Sequence, residues 1–97
     1  MAMYNPPHPD EFVTDVYLEP NGISGRELAE KLDVAASTLN RILKGTSRVT
    51  PEMALRLSKA IGRTPESWLS MQDFHDLWVA RKHVDLKRVG KLRLAAG

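Results

Sequence analysis

Cysteine is absent from this chain of 97 residues, which excludes a disulfide framework and a thiolate zinc site. No apolar run is long enough to cross a bilayer, and the N-terminal stretch MAMYNPPHPD lacks the basic and apolar regions of a secretion signal. A glycine-rich phosphate loop and a nucleophile elbow are also missing, and His8, His75 and His83 have no paired ligand spacing. These absences predict a cytoplasmic protein that is not an enzyme and has no metal site, no cofactor and no membrane partner.

Charge is distributed unevenly along the chain, although the net charge is only +2. Residues 1–25 contain four acids and no Lys or Arg, whereas residues 26–63 contain eight bases and four acids. A surface that binds a polyanion needs such a local excess of bases. A basic helix face that is merely solvated explains the same excess equally well, so charge alone does not decide between the two.

Start signals for helices recur along the chain and precede apolar residues at helical spacing. Ser24 with Glu27 forms a capping box, and Thr50 and Thr64 each stand directly before a proline. These signals predict five helices, at about residues 9–19, 25–32, 36–44, 51–61 and 65–82. The predicted fold is therefore all-α, with one domain in residues 1–82, a core at about 9–78 and a C-terminal tail of uncertain structure at 83–97.

The stretch ELAEKLDVAASTLNRILKG, residues 27–45, places two of these helices on either side of a tight turn. Ala29 supplies the small side chain that two steeply crossing helices need at their closest approach. The second helix presents short polar side chains near its N-terminus, which let a backbone approach base edges, and Arg41 can reach a guanine. A merely solvated helix would more often be filled with Glu, Lys and Gln.

This stretch resembles the helix-turn-helix of the Cro/C1-type (XRE) repressors, whose five-helix, lambda-repressor-like domain would cover about residues 9–78. The segments NPPHPDEF, YLEPNGIS and TPESWLSMQ resemble the HigA (VapI) antitoxins, a branch of that family paired with a HigB-type toxin that degrades messenger RNA. Two positions depart from the family pattern. Asp33 stands at the turn position where glycine is usual, and Ala35 stands where the recognition helix usually has a Ser or Thr cap.

The resemblance implies roles for individual residues. Those expected to read bases are Ala36, Ser37 and Arg41, with Asn40 as an addition. Those expected to bind phosphates are Arg26, Thr38, Lys44, Thr46, Ser47 and Arg48. A homodimer would place two recognition helices about 34 Å apart in successive major grooves, so the DNA partner should be a near-palindromic operator.

Two further surfaces are predicted. The fifth helix has more large apolar residues than so small a core needs, so part of its face is expected to form the homodimer interface, at Trp68, Met71, Phe74, Leu77 and Trp78. Asp15 and Glu19 are expected to meet a basic HigB-type toxin by charge complementarity, although helix-terminal acids such as Asp10 and Glu11 also serve the first helix itself. Two alternatives remain: a stand-alone XRE-type repressor without a toxin, and a protein-interaction module that does not bind DNA.

Overall fold

The computed structural model describes residues 6–95, and these form five helices and no strand. Helix α1 begins as an α-helix at Pro9–Phe12 and continues as a π-helix over Val13–Leu18. The others are α2 at Gly25–Leu32, α3 at Ala36–Leu43, α4 at Pro51–Ile61 and α5 at Pro65–His83. The prediction of an all-α fold of five helices is confirmed. Residues 84–95 contain neither helix nor strand and are exposed.

Side-chain caps begin three of the helices where the sequence predicts them. Ser24 Oγ accepts from Glu27 N at 3.1 Å, and Thr50 Oγ1 accepts from Met53 N at 3.2 Å. Thr64 Oγ1 accepts from Ser67 N at 3.1 Å. Each cap satisfies one of the amides that the first turn of a helix leaves unpaired. The starts of α2, α4 and α5 are therefore determined by short stretches of local sequence.

The second half of α1 is wider than the α-helix that the sequence predicts. Glu19 N donates to Thr14 O at 2.9 Å, which is the five-residue hydrogen bond of a π-helix. Val13 and Leu18 are five residues apart and are both buried, while Val16 between them is 44% exposed. Because a π-helix has a wider turn, the side chains of Val13 and Leu18 lie on the same face of α1 and pack against the core.

The core is formed by apolar side chains from all five helices and from the loop between α3 and α4. It contains Val13, Leu18, Leu28, Ala29, Leu32, Leu39, Ile42, Val49, Met53, Ala54, Leu57, Trp68 and Met71. Trp68 is fully buried, and its Nε1 donates to Gly62 O at 3.0 Å. The rings of Phe12 and Tyr17 pack against it with centroids 6.0 and 6.1 Å away.

The predicted dimer interface on α5 is corrected by this packing. Trp68 is 0% exposed and Met71 only 8%, so both are core residues, and the prediction is wrong for them. Phe74 is 65% exposed, Leu77 is 46% exposed and Trp78 is half-buried. A side chain that is already enclosed by its own domain has no surface left for a partner. Only the exposed part of the set, at Phe74, Leu77 and Trp78, remains available for an interface.

The molecule is elongated because α5 and the residues after it extend beyond the other helices. Its dimensions are 54 × 29 × 23 Å, and a 19-residue helix such as α5 is about 28 Å long. From Arg81 to residue 95 every residue is exposed, including five large apolar ones, Val84, Leu86, Val89, Leu92 and Leu94. Within residues 6–95, no helix combines the length and the apolarity that crossing a membrane would require.

Candidate nucleic-acid interface

Helices α2 and α3 are joined by a turn that depends on two local features. Asp33 adopts the left-handed conformation, with φ 59° and ψ 48°, and Val34 N donates to Ala29 O at 3.1 Å. Aspartate enters this region more readily than most residues, which explains why it can replace the usual glycine. Ala29 is 2% exposed and has no side chain beyond Cβ, so the two helices can approach closely there.

Arg56 on α4 donates hydrogen bonds to the C-terminal end of α2. The sequence did not predict this contact. Its Nη1 donates to Leu32 O at 2.7 Å and to Asp33 O at 3.2 Å. Its guanidinium also pairs with Glu52, at 2.9 Å between Nη2 and Oε2. Carbonyls at a helix C-terminus have no partner within the helix, and a cation there is also favoured by the dipole. Only the i,i+4 spacing of Glu52 and Arg56 was a visible signal, and it does not point to α2.

Helix α3 buries one side and exposes the other. Leu39 and Ile42 are buried, whereas the predicted base readers are all exposed: Ala36, Ser37, Asn40 and Arg41. Lys44 at the end of the helix is exposed, and Thr38 is half-buried. The short side chains Ala36 and Ser37 leave the first turn of α3 open to close approach. Arg41, one turn further along, has the length and the donors to reach a base edge.

The N-terminus of α3 has no side-chain cap. Ala35 has the extended backbone of a cap residue, with φ −66° and ψ 143°, but a methyl group cannot accept a hydrogen bond. Thr38 N already donates to Ala35 O at 3.0 Å, but the amides of the exposed residues Ala36 and Ser37 have no acceptor within the helix. They can donate to an acceptor outside the chain, and the positive end of the helix dipole favours an anionic one. A DNA phosphate is an acceptor of this kind.

The loop after α3 folds back on the helix that precedes it. Thr46 N and Thr46 Oγ1 both donate to Arg41 O, at 2.9 and 3.0 Å. Gly45 has φ +80°, and a Cβ at this position would lie 2.7 Å from Asp10 Oδ2. The positive φ favours glycine at position 45, and any other residue there would also have to displace the Asp10 carboxylate. The loop presents Thr46 and Arg48 as exposed residues and Ser47 as a half-buried one.

The residues predicted to contact phosphates differ in their surroundings, since some are simply exposed and one is paired with carboxylates. Arg26 on the first turn of α2 and Lys44 are exposed side chains near helix ends. Arg48 instead pairs with two carboxylates of α5, with Asp73 at 3.5 Å and with Asp76 more closely. All three side chains of this ion pair are at least 40% exposed, so the pairing is weak and reversible. Arg48 reaches a phosphate only by leaving these carboxylates.

The residues predicted to bind the toxin and the second copy lie away from α3 in the chain. Asp15 is exposed in the second half of α1, and Glu19, directly after the helix, is also exposed. Phe74 and Leu77 are exposed on α5, and Lys82 Nζ lies 3.8 Å from the centroid of the Trp78 ring. Among residues 6–95, no group of three or more His, Cys, Asp or Glu side chains could hold a metal ion.

The five-helix fold and the exposed face of α3 define a helix-turn-helix protein of the transcription-regulator class. Residues 17–69 match the family model HTH_3, described as helix-turn-helix. The chain belongs to this helix-turn-helix family.

Similar proteins come from both sequences and solved structures. The uncharacterised HTH-type transcriptional regulator YddM of Escherichia coli (strain K12) is 40% identical over 92 residues, which cover 95% of this chain and 97% of YddM. The structure of antitoxin GraA in complex with its operator is 35% identical, with a TM-score of 0.83 over 94% of this chain and 95% of GraA. Antitoxin HigA of Pseudomonas aeruginosa with the higBA promoter is 31% identical, with a TM-score of 0.73 over 79% of this chain and 84% of HigA. The resemblance to the HigA antitoxins stated from the sequence is confirmed.

Proposed function

We propose that the chain is the antitoxin of a toxin–antitoxin module: a repressor that binds its own operator through α3 and neutralises a HigB-type toxin. The observation that carries the proposal is the exposed face of α3, held in a fold shared along almost its whole length with an antitoxin that binds operator DNA. In this function the protein acts in the cytoplasm.

DNA binding begins with the first turn of α3. Its uncapped amides and the exposed side chains of Arg26 and Lys44 contact phosphates, which gives affinity and fixes the register of the protein on the duplex. Ala36 and Ser37 then allow the helix to lie deep in the major groove, where Arg41 reads a guanine and Asn40 an adenine. Phosphate contacts are common to all sequences, so the choice of operator rests on the base contacts.

A homodimer explains the exposed apolar surface of α5. Phe74 and Leu77 lie on one face, with Trp78 half-buried beside them. Burying this face against a second copy removes apolar surface from water and places two α3 helices on one side of the duplex. The operator is then a near-palindrome with half-sites about 34 Å apart.

The toxin is proposed to contact α1. Asp15 and Glu19 are exposed acids on a segment that contains no Lys or Arg, and an enzyme that cleaves messenger RNA presents a basic surface. Charge complementarity of this kind mainly accelerates association. Replacing both acids with lysine should slow association with the toxin, while Glu66→Lys at the exposed start of α5 should not. An unchanged association rate for the double variant would remove the charge argument.

Native mass spectrometry of the tagged protein purified from its own host tests the proposal as a whole. A small basic protein that is purified with the dimer in a fixed ratio supports the antitoxin function. A bare dimer that binds the DNA upstream of its own gene, in a salt-sensitive way, leaves a stand-alone repressor. A protein that binds neither this DNA nor a toxin is a protein-interaction module and contradicts the proposal.

A further inference from the structure

Gln72 on α5 is a fully buried amide with a specific partner. It is 1% exposed, and it is the one buried polar or charged side chain found among residues 6–95. Its Oε1 accepts from Val49 N at 2.7 Å, and its Nε2 donates to Val49 O at 3.0 Å. Both distances are those of good hydrogen bonds, and together they pair one side-chain amide with both backbone groups of one residue.

Val49 belongs to the loop that follows the recognition helix. The beginning of the loop is fixed to α3 by the bonds from Thr46 to Arg41 O, and its end is fixed by the cap of α4 at Thr50. Gln72 therefore holds the loop at a third point, on a helix that is distant in sequence. Asp73 and Asp76, on the adjoining part of α5, pair with Arg48. Two neighbouring residues of the loop, Arg48 and Val49, thus attach it to α5.

We propose that Gln72 is a positioning residue for DNA binding, which acts through Val49 to hold the backbone of residues 44–48 in place, so that their side chains can contact phosphates. The inference rests on the proposed function, because it concerns the same interface. A loop that is already ordered loses less conformational freedom on binding than a loop that the DNA must order. The contacts made by this loop are to the DNA backbone, so the effect of Gln72 is the same for every DNA sequence.

The first test replaces Gln72 with methionine, which has a similar length and favours helices but cannot pair with Val49. We expect the affinity for the duplex upstream of the chain's own gene and for a shuffled duplex to fall by the same factor, about tenfold. The dependence of affinity on salt should become less steep by about one counterion. Fluorescence anisotropy at several salt concentrations measures both quantities, and circular dichroism checks the fold. Ser70→Met, at an exposed position of the same helix, is the matched control and should bind as the wild type does.

The second test, Gln72→Glu, separates positioning from a loss of folding. A protonated carboxyl can accept from Val49 N and donate to Val49 O, whereas a carboxylate cannot donate. Burial raises the pKa of the introduced carboxyl, so the affinity relative to the wild type should recover as the pH falls from about 8 to about 5. Measuring the wild type at each pH corrects for the three histidines and for Asp73 and Asp76 nearby.

The outcomes distinguish the inference from the function on which it rests. Wild-type protein that binds neither duplex at low salt overturns the proposed function. Folded Gln72→Met with wild-type affinity, or with a loss confined to the promoter duplex, overturns the positioning role alone. If Gln72→Met does not fold, the pH series of Gln72→Glu decides over the pH values at which circular dichroism shows that variant folded: recovery at low pH supports the role, and a constant ratio to the wild type overturns it.

Discussion

At the scale of single residues, Ala35 is the position at the start of α3 where a capping hydrogen bond is missing. Its backbone has the conformation of a cap residue, but its side chain makes no hydrogen bond, whereas the caps of α2, α4 and α5 all do. The turn therefore lacks the stabilising bond that a capping side chain would supply, while in the proposed complex a phosphate accepts from the first amides of α3.

Ala35→Ser should therefore raise the free energy of unfolding by about 1 kcal/mol, because the new hydroxyl accepts from an amide of the first turn of α3. Denaturant unfolding followed by circular dichroism measures the change. Thr50→Ala is the opposite control: it removes an existing cap and should lower the stability by about the same amount. An Ala35→Ser variant no more stable than the wild type would show that the amides of α3 already have other partners.

Substitutions at Arg41 and Lys44 should distinguish the reading of bases from the binding of phosphates. Arg41→Ala should reduce affinity for the operator by about 1–3 kcal/mol and much less for other DNA, because it removes the proposed bidentate contact to a base. Lys44→Ala should weaken binding to every duplex equally and reduce the salt slope by about one. Anisotropy titrations with the operator and a shuffled duplex give both numbers. Uniform losses for both variants would contradict this division of roles.

At the scale of elements, the helix-turn-helix is stabilised from α4. Arg56 donates to the carbonyls of Leu32 and Asp33, so the end of α2 and the turn are bound to a third helix rather than to α3 alone. The contact adds a charged hydrogen bond to the apolar packing of α2 against α4.

Arg56→Leu should lower the free energy of unfolding by about 1–3 kcal/mol, since the carbonyls lose a charged donor. Glu52→Gln removes only the partner of an exposed i,i+4 pair and should cost at most about 0.5 kcal/mol. Denaturant unfolding of the two variants under the same conditions compares the contacts. Equal effects would mean that Arg56 contributes through its pair with Glu52 and not through α2.

At the scale of the whole molecule, the shape over residues 6–95 is elongated because residues 84–95 form no helix or strand and stay exposed. Phe74 and Leu77 on α5 and the apolar residues of the segment 84–95 remain exposed. An apolar surface of this kind usually marks a site of association. In the proposed homodimer this surface would join two half-site contacts, and two connected contacts bind far more tightly than one.

Replacing Phe74 and Leu77 with serine should convert the dimer into a monomer and reduce operator affinity by at least about a hundredfold, because the second half-site contact is no longer linked to the first. Analytical ultracentrifugation at high micromolar concentration and anisotropy titration give the two results. Leu55→Ser changes a leucine on α4 that is 61% exposed, against 46% for Leu77, and should alter neither. A wild-type protein that sediments as a monomer at that concentration would contradict the interface.

The sequence by itself determined the helices, the tight turn and the class of protein. Caps at Ser24, Thr50 and Thr64 act within three residues, and the alternation of buried and exposed positions follows the helical period, so both can be read along the chain. Only the tertiary structure decided that Trp68 and Met71 belong to the core, that α1 widens into a π-helix, and that Arg56 and Gln72 bind backbone groups more than twenty residues away. These features depend on how the helices approach one another, and no local pattern of residues predicts the distance or the direction of that approach.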